Sequence, residues 1–139
     1  MAWRGADYGQ GMTANKVKET ISQMQIGGHY RKLLILTEPC FSEAVITPLV
    51  GIPGVLAMSS AGRYEQSFAD NWSSTLGVWR CDRFSRNIVT HLSDNPSTTY
   101  RDLFLYCARR TLGSHVHIVN SANFGNLYTT GPGEFFEKK

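Results

Sequence analysis

Glu38-Pro39-Cys40 follows directly on the run Lys32-Leu33-Leu34-Ile35-Leu36-Thr37. That run is apolar without alternation and of strand length, the pattern of a strand covered on both faces in a parallel sheet. Ligands of open parallel sheets bind at the carboxyl ends of the strands, so the spacing puts Cys40 where chemistry is done. Phe41-Ser42-Glu43-Ala44-Val45-Ile46 reads as a short helix that Cys40 opens. Unpaired amides and the dipole at a helix N-terminus favour the thiolate, the nucleophilic form of cysteine. Pro39 has no amide proton, but the amide of Cys40 can donate to a developing oxyanion. Spacing alone does not decide the matter. Taken by itself, a cysteine at a strand end is better read as a small buried residue.

A thiol nucleophile needs a base, and the chain has four histidines. His29 precedes the Cys40 strand, which places it at the opposite end of the sheet, roughly 20 Å away across an extended segment. His115 and His117 start a strand, His115-Val116-His117-Ile118-Val119-Asn120, and in a parallel sheet they too fall at the far end. His91 comes late in a helix. All four are expected on the surface or in packing. No metal is expected either, because His115 and His117 alternate faces and lack a cysteine or carboxylate partner nearby. Cys40, Cys81 and Cys107 are too few and too far apart for a CxxC site or a disulfide framework, and no cofactor is implied.

The elements that must position Cys40 are legible as periods. A helix is predicted from Thr13, with Val17, Ile21 and Met24 on one face and Gly27-Gly28 as its stop. Val55 to Ser60 reads as a second buried strand, entered through Gly51-Ile52-Pro53-Gly54. Residues 61–81 read as irregular. A helix over Asp82 to Leu92 carries Phe84, Ile88 and Leu92, and Ser93-Asp94-Asn95-Pro96 breaks it. Another starts at Thr99, where Thr99 and Asp102 resemble a capping box, and buries Leu103, Phe104 and Cys107. Residues 1–12 and 121–139 read as largely irregular. The order implies one α/β domain over 1–139 with a largely parallel sheet. Three strands make a thin sheet with an open edge, so its first strands are expected upstream of Met1.

Bulk composition excludes several classes. The 139 residues carry a net charge of only +3 and no run of five or more basic residues. Electrostatic binding to nucleic acid or anionic membrane therefore has little support. No apolar stretch is long enough to span a membrane, and Met1-Ala2-Trp3-Arg4-Gly5 lacks the apolar core of a signal peptide. The compartment is left open. A flavodoxin-like phosphate-binding domain is disfavoured, because Gly51-Ile52-Pro53-Gly54 precedes its strand rather than following it.

Tyr30-Arg31-Lys32-Leu33-Leu34-Ile35-Leu36-Thr37-Glu38-Pro39-Cys40-Phe41-Ser42 resembles the nucleophile block of the legumain-type cysteine peptidases. These include asparaginyl endopeptidases and the catalytic subunit of the glycosylphosphatidylinositol transamidase. The preceding helix, Lys16-Val17-Lys18-Glu19-Thr20-Ile21, also fits. Val55-Leu56-Ala57-Met58-Ser59-Ser60-Ala61 is similar to the family's second strand. Tyr64-Glu65-Gln66-Ser67-Phe68-Ala69 is similar to its Glu-x-Ser-x-Ala block, and Leu76-Gly77-Val78-Trp79 to its Leu-Gly-x-Trp block. The blocks run in order over roughly residues 13 to 125.

The resemblance implies a caspase-like three-layer sandwich and peptide-bond cleavage through a Cys40 thioester. It makes Cys40 the nucleophile and Glu38, Gln66 and Ser67 parts of the pocket for the residue before the scissile bond. The plain alternatives are a solvated carboxylate for Glu38 and an ordinary loop hydroxyl for Ser67. The implied partners are a protein or peptide substrate and an upstream segment or partner chain; the open edge also suits a second copy. The family's histidine lies in a His-Gly pair before the first helix, and counting back from Cys40 lands at or just before Met1. No His-Gly pair occurs in the chain. Three departures stand out. Glu43 replaces a common glycine and would oppose a thiolate, Val78 replaces an acidic pocket residue of asparaginyl endopeptidases, and Pro39 stiffens the turn. A catalytically inactive interaction or assembly module of the same fold is the alternative.

Overall fold

Thr13 starts the first helix as expected, its hydroxyl accepting the Lys16 amide at 3.2 Å. The computed structural model describes residues 2–3 and 12–136. A short antiparallel pair, β1 (Ala2–Trp3) and β2 (Met12–Thr13), leads into α1 (Ala14–Ile26). The chain continues through β3 (Leu33–Thr37), α2 (Glu43–Ile46) and β4 (Val55–Ser59). Then come β5 (Ala69–Ser73), β6 (Val78–Asp82), α3 (Arg83–Asp94), α4 (Tyr100–Arg110) and β7 (His117–Asn120).

The central sheet has the order β3-β4-β7. β3 and β4 are parallel, in register from Leu33 opposite Val55 to Thr37 opposite Ser59. β7 runs antiparallel to β4, with His117 opposite Ser59 and Asn120 opposite Leu56. The sheet is therefore mixed, which corrects the expectation of a largely parallel one. The reason is topological: α4 ends near the carboxyl end of β4, and β7 returns from there without a crossover helix.

β4 is the buried strand. All five of its residues are inaccessible, and neighbours along it feed different clusters. Val55 and Ala57 pack with Ile21 of α1, Ile46 of α2, Leu49 and Ile52. Met58 packs with Phe84 and Ile88 of α3 and Leu103 and Cys107 of α4. Leu56 joins Tyr100 and Phe124. This period of two is what a strand with apolar cover on both faces requires. β3 departs from the reading of a strand covered on both faces. Among the described residues it pairs only with β4, its residues are half-buried, and Leu36 is exposed.

Residues 121–136 carry no strand or α-helix, in line with the irregular reading, yet they are anchored. The first-turn amides of α4, at Tyr100 and Arg101, donate to the carbonyls of Thr130 and Leu127, which satisfies helix donors that have no partner within the helix. Gly131 permits the approach, since a Cβ there would lie 2.0 Å from the Thr98 carbonyl oxygen. Glu134 accepts from Tyr100 at 2.8 Å and Lys32 at 2.6 Å.

Candidate active site

The chain turns sharply after β3. Phe41 takes φ 64°, a left-handed conformation that costs a residue other than glycine about 1–2 kcal/mol. Three hydrogen bonds hold it there. The Phe41 amide donates to the Glu65 carbonyl at 2.8 Å, the Glu43 amide to the Ala61 carbonyl at 3.0 Å, and the Ser60 hydroxyl to the Glu38 carbonyl at 2.9 Å. The result is an elbow that lifts Cys40 off the end of β3 with its side chain exposed. Cys40 does not open a helix, as the sequence reading had it. α2 starts at Glu43 and has 4 residues, so its dipole offers the thiol little.

Ser42 locks the elbow to the end of β4. It is fully buried, and its hydroxyl accepts from the Ala61 amide at 3.2 Å and donates to the Ala61 carbonyl at 3.3 Å. Ser42→Ala leaves that amide buried without an acceptor. A loss of about 1–3 kcal/mol in urea denaturation is expected; an unchanged midpoint would mean that the clamp is idle.

Around Cys40 the partners come from the segment between β4 and β5. The Ser67 amide donates to Cys40 Sγ at 3.4 Å, and the Ser67 hydroxyl lies 3.7 Å from the same sulfur. Both are ordinary lengths for bonds to sulfur. Asp82 ends β6 and caps α3, with Oδ1 accepting from the Phe84 amide at 2.8 Å. Burial raises its carboxyl above the usual range, against the opposing pull of the Phe84 amide. Glu38, half-buried at the end of β3, is likewise raised, first by burial and then by the charge of Asp82, while the Ser85 amide lowers it. One carboxylate oxygen of Glu38 is fully sheltered and has no hydrogen-bond partner among the described residues. Gln66, between Glu65 and Ser67, is exposed. Glu38, Ser67 and Cys40 thus share one end of β3.

The two C-terminal histidines need correction. Because β7 is antiparallel to β4, His117 lies opposite Ser59, at the carboxyl end of β4 and on the same side of the sheet as Cys40. Both histidines also have carboxylate partners, contrary to the sequence reading. His115 Nδ1 pairs with Glu65 Oε1, and His117 Nε2 lies 3.7 Å from Glu43 Oε2. Glu43 further accepts the Arg63 amide at 2.7 Å, so its carboxylate is engaged in holding the 61–65 loop. No group of three or more potential metal ligands gathers among the described residues.

Glu65 ties that loop to the approach to β7. It accepts the amides of His115 at 2.7 Å and Gly62 at 2.9 Å. Those two amides, followed by the His115 ring, lower its carboxyl to about 2. A depressed carboxyl stabilises the fold above its unfolded value, and that stability fades as pH falls through the folded one. The loss is therefore expected between about pH 4.5 and pH 2. Glu65→Gln should flatten thermal stability against pH across this window; an equally steep fall in the variant would place the titration elsewhere.

Residues 61–81, read as irregular, contain the β5–β6 hairpin, which corrects that reading. Trp72 and Trp79 pack edge to face across it at 5.3 Å while each stays about half exposed. Asp70 is held low, first by the Asn71 amide and then by Arg86. Val78 is exposed on β6 opposite Ser73.

The described helices include none long and apolar enough to cross a membrane. No curated protein matches the chain. The family model described as the Peptidase C13 family matches residues 5–130, a span that holds every element from α1 to β7, and the chain belongs to this family of legumain-type cysteine peptidases and transamidases.

Proposed function

We propose that the chain is the nucleophile-bearing part of a cysteine endopeptidase or transpeptidase, with a caspase-like three-layer architecture. Cys40 attacks the substrate carbonyl carbon, the carbon–nitrogen bond breaks, and the acyl part stays on Sγ as a thioester until water or an amine displaces it. Glu38, Gln66 and Ser67 line the pocket for the residue before the scissile bond. The histidine that takes the thiol proton and passes one to the leaving amine comes from a segment upstream of this chain, which adds a strand to the free edge of β3.

The observation that carries this reading is the elbow itself. A left-handed Phe41 costs stability, and it presents an exposed thiol to the Ser67 amide at 3.4 Å. Strain of this kind persists where the surroundings over-determine it, and it clusters at active sites. Among the described residues the Cys40 amide has no acceptor, so it is available to an oxyanion. Family membership supplies the chemistry class.

The test is an acid-quenched reaction of a peptide substrate with the chain extended by its upstream segment, read by intact mass. The expected product is an acyl adduct on Cys40 that Cys40→Ala lacks. Peptide binding without any adduct from pH 5 to 9 would turn the reading to an inactive interaction or assembly module.

A further inference from the structure

The segment from Glu65 to Ser67 grips the elbow at two points. The Glu65 carbonyl accepts the Phe41 amide at 2.8 Å, and the Ser67 amide donates to Cys40 Sγ at 3.4 Å. The first bond holds the left-handed turn. The second puts a donor on the sulfur, which favours thiolate over thiol. Both depend on where residues 61–67 stand, and these residues form no helix or strand.

The Glu65 side chain supplies the missing anchor. Its Oε2 accepts the His115 amide at 2.7 Å, from the approach to β7, and the Gly62 amide at 2.9 Å, from the start of the loop. Oε1 pairs with His115 Nδ1. The His115 ring is 81% exposed, so the backbone amides carry most of the anchor. Gly62 leaves room for this arrangement, since a Cβ there would lie 2.9 Å from Glu65 Oε2 and 3.3 Å from His117 Nε2. The other charged pair at the loop is His117 and Glu43, 3.7 Å apart, and Glu43 accepts the Arg63 amide at 2.7 Å. Glu43 thus fixes the start of the loop, and Glu65 fixes the end that meets the thiol.

We propose that Glu65 is a positioning residue for Cys40, its carboxylate tying the loop to the approach to β7 and so holding the Phe41 elbow and the Ser67 amide against the thiol. Position and charge can be told apart, because they act on the thiol with opposite sign. A nearby carboxylate disfavours a thiolate, so losing its charge alone would lower the midpoint of Cys40 ionisation. Losing the anchor takes the Ser67 donor away and raises it.

The inference rests on reading Cys40 as the reactive thiol, but its test does not need peptide cleavage. The rate of Cys40 alkylation by iodoacetamide is followed from pH 5 to 9 in the full chain and mapped by mass spectrometry. Glu65→Ala is expected to raise the labelling midpoint by about 0.5–1 pH unit. Glu65→Asp keeps the charge on a side chain one methylene shorter and should raise it too, which keeps the test open if Glu65→Ala does not fold. Labelling of the buried Cys107 reports such a loss of fold. Glu65→Gln loses the charge but keeps an oxygen that can accept both amides. Its midpoint should stay within about 0.2 unit of the parent's or fall below it. A midpoint unmoved or lowered in both Glu65→Ala and Glu65→Asp overturns the proposal, and so does an equal rise in Glu65→Gln. Phe84→Ala, which removes core packing and no bond to the loop, is the control; an equal rise there would assign the effect to general loosening. The expected pattern in a protein that never forms an acyl adduct would sink the peptidase reading alone. Acyl transfer without the pattern would sink this one alone.

Discussion

Replacing Cys40 with alanine is expected to lower kcat/KM for peptide cleavage by roughly 10⁴-fold or more, with no measurable change in stability. The two halves of this expectation come from the same geometry. Cys40 is exposed, and its recorded partners are the amide and hydroxyl of Ser67, so little packing is lost with the thiol. The other cysteines behave oppositely. Cys107 is buried between α3 and α4, and burial pushes its thiol up to about 12, so it is neither ionised nor reachable at neutral pH. Cys107→Ala should cost stability and leave turnover intact. Cys81 is half-buried and donates to the Asp70 carbonyl at 3.8 Å. Kinetics of the three alanine variants, beside their urea midpoints, check the separation. Full activity in Cys40→Ala, or activity lost only in step with stability, would refute the nucleophile assignment.

How much of this was written in the residues varies by element. The three longer helices, α1, α3 and α4, were legible because each carries both a period and a cap. Thr13, Asp82 and Thr99 all accept the amide that capping requires, and Phe84, Ile88, Leu103 and Cys107 form one cluster. The hairpin was not legible. Ala69-Asp70-Asn71-Trp72-Ser73 has little strand propensity, and its turn carries no Asn-Gly or Asp-Gly signal. What holds the hairpin is the cross-strand contact of two tryptophans, a pairing that depends on register. Strand direction was also hidden. The pattern His117-Ile118-Val119-Asn120 reads the same either way, yet its direction decides which end of the sheet His115 and His117 occupy. Cys40 and its motif were found by resemblance, but the elbow was not, since a left-handed Phe41 has no signature in residue type.

The first turn of α3 joins a buried aromatic to a helix cap. Phe84→Ala is expected to cost about 3–5 kcal/mol. Phe84 is fully buried against Met58, Ile88, Leu103, Cys107 and Val116, where neighbours on two helices and the central strand leave little room to collapse into a void. Its amide is also the donor that holds Asp82. A loosened first turn should therefore free the Asp82 carboxylate as well. Two readouts separate these effects. Global opening should raise alkylation of the buried Cys107 by about 10²–10⁴-fold, the factor that 3–5 kcal/mol sets on the open population. Cys40, exposed in the native fold, should be labelled at an unchanged rate. Phe68→Ala is the comparison. Phe68 is 38% exposed and stacks on Arg83 at 5.5 Å, so its loss should cost under about 1 kcal/mol. Equal destabilisation by the two substitutions would show that the core does not rest on α3. Labelling of Cys40 that rises in step with Cys107 would show that the opening also reaches the elbow after β3.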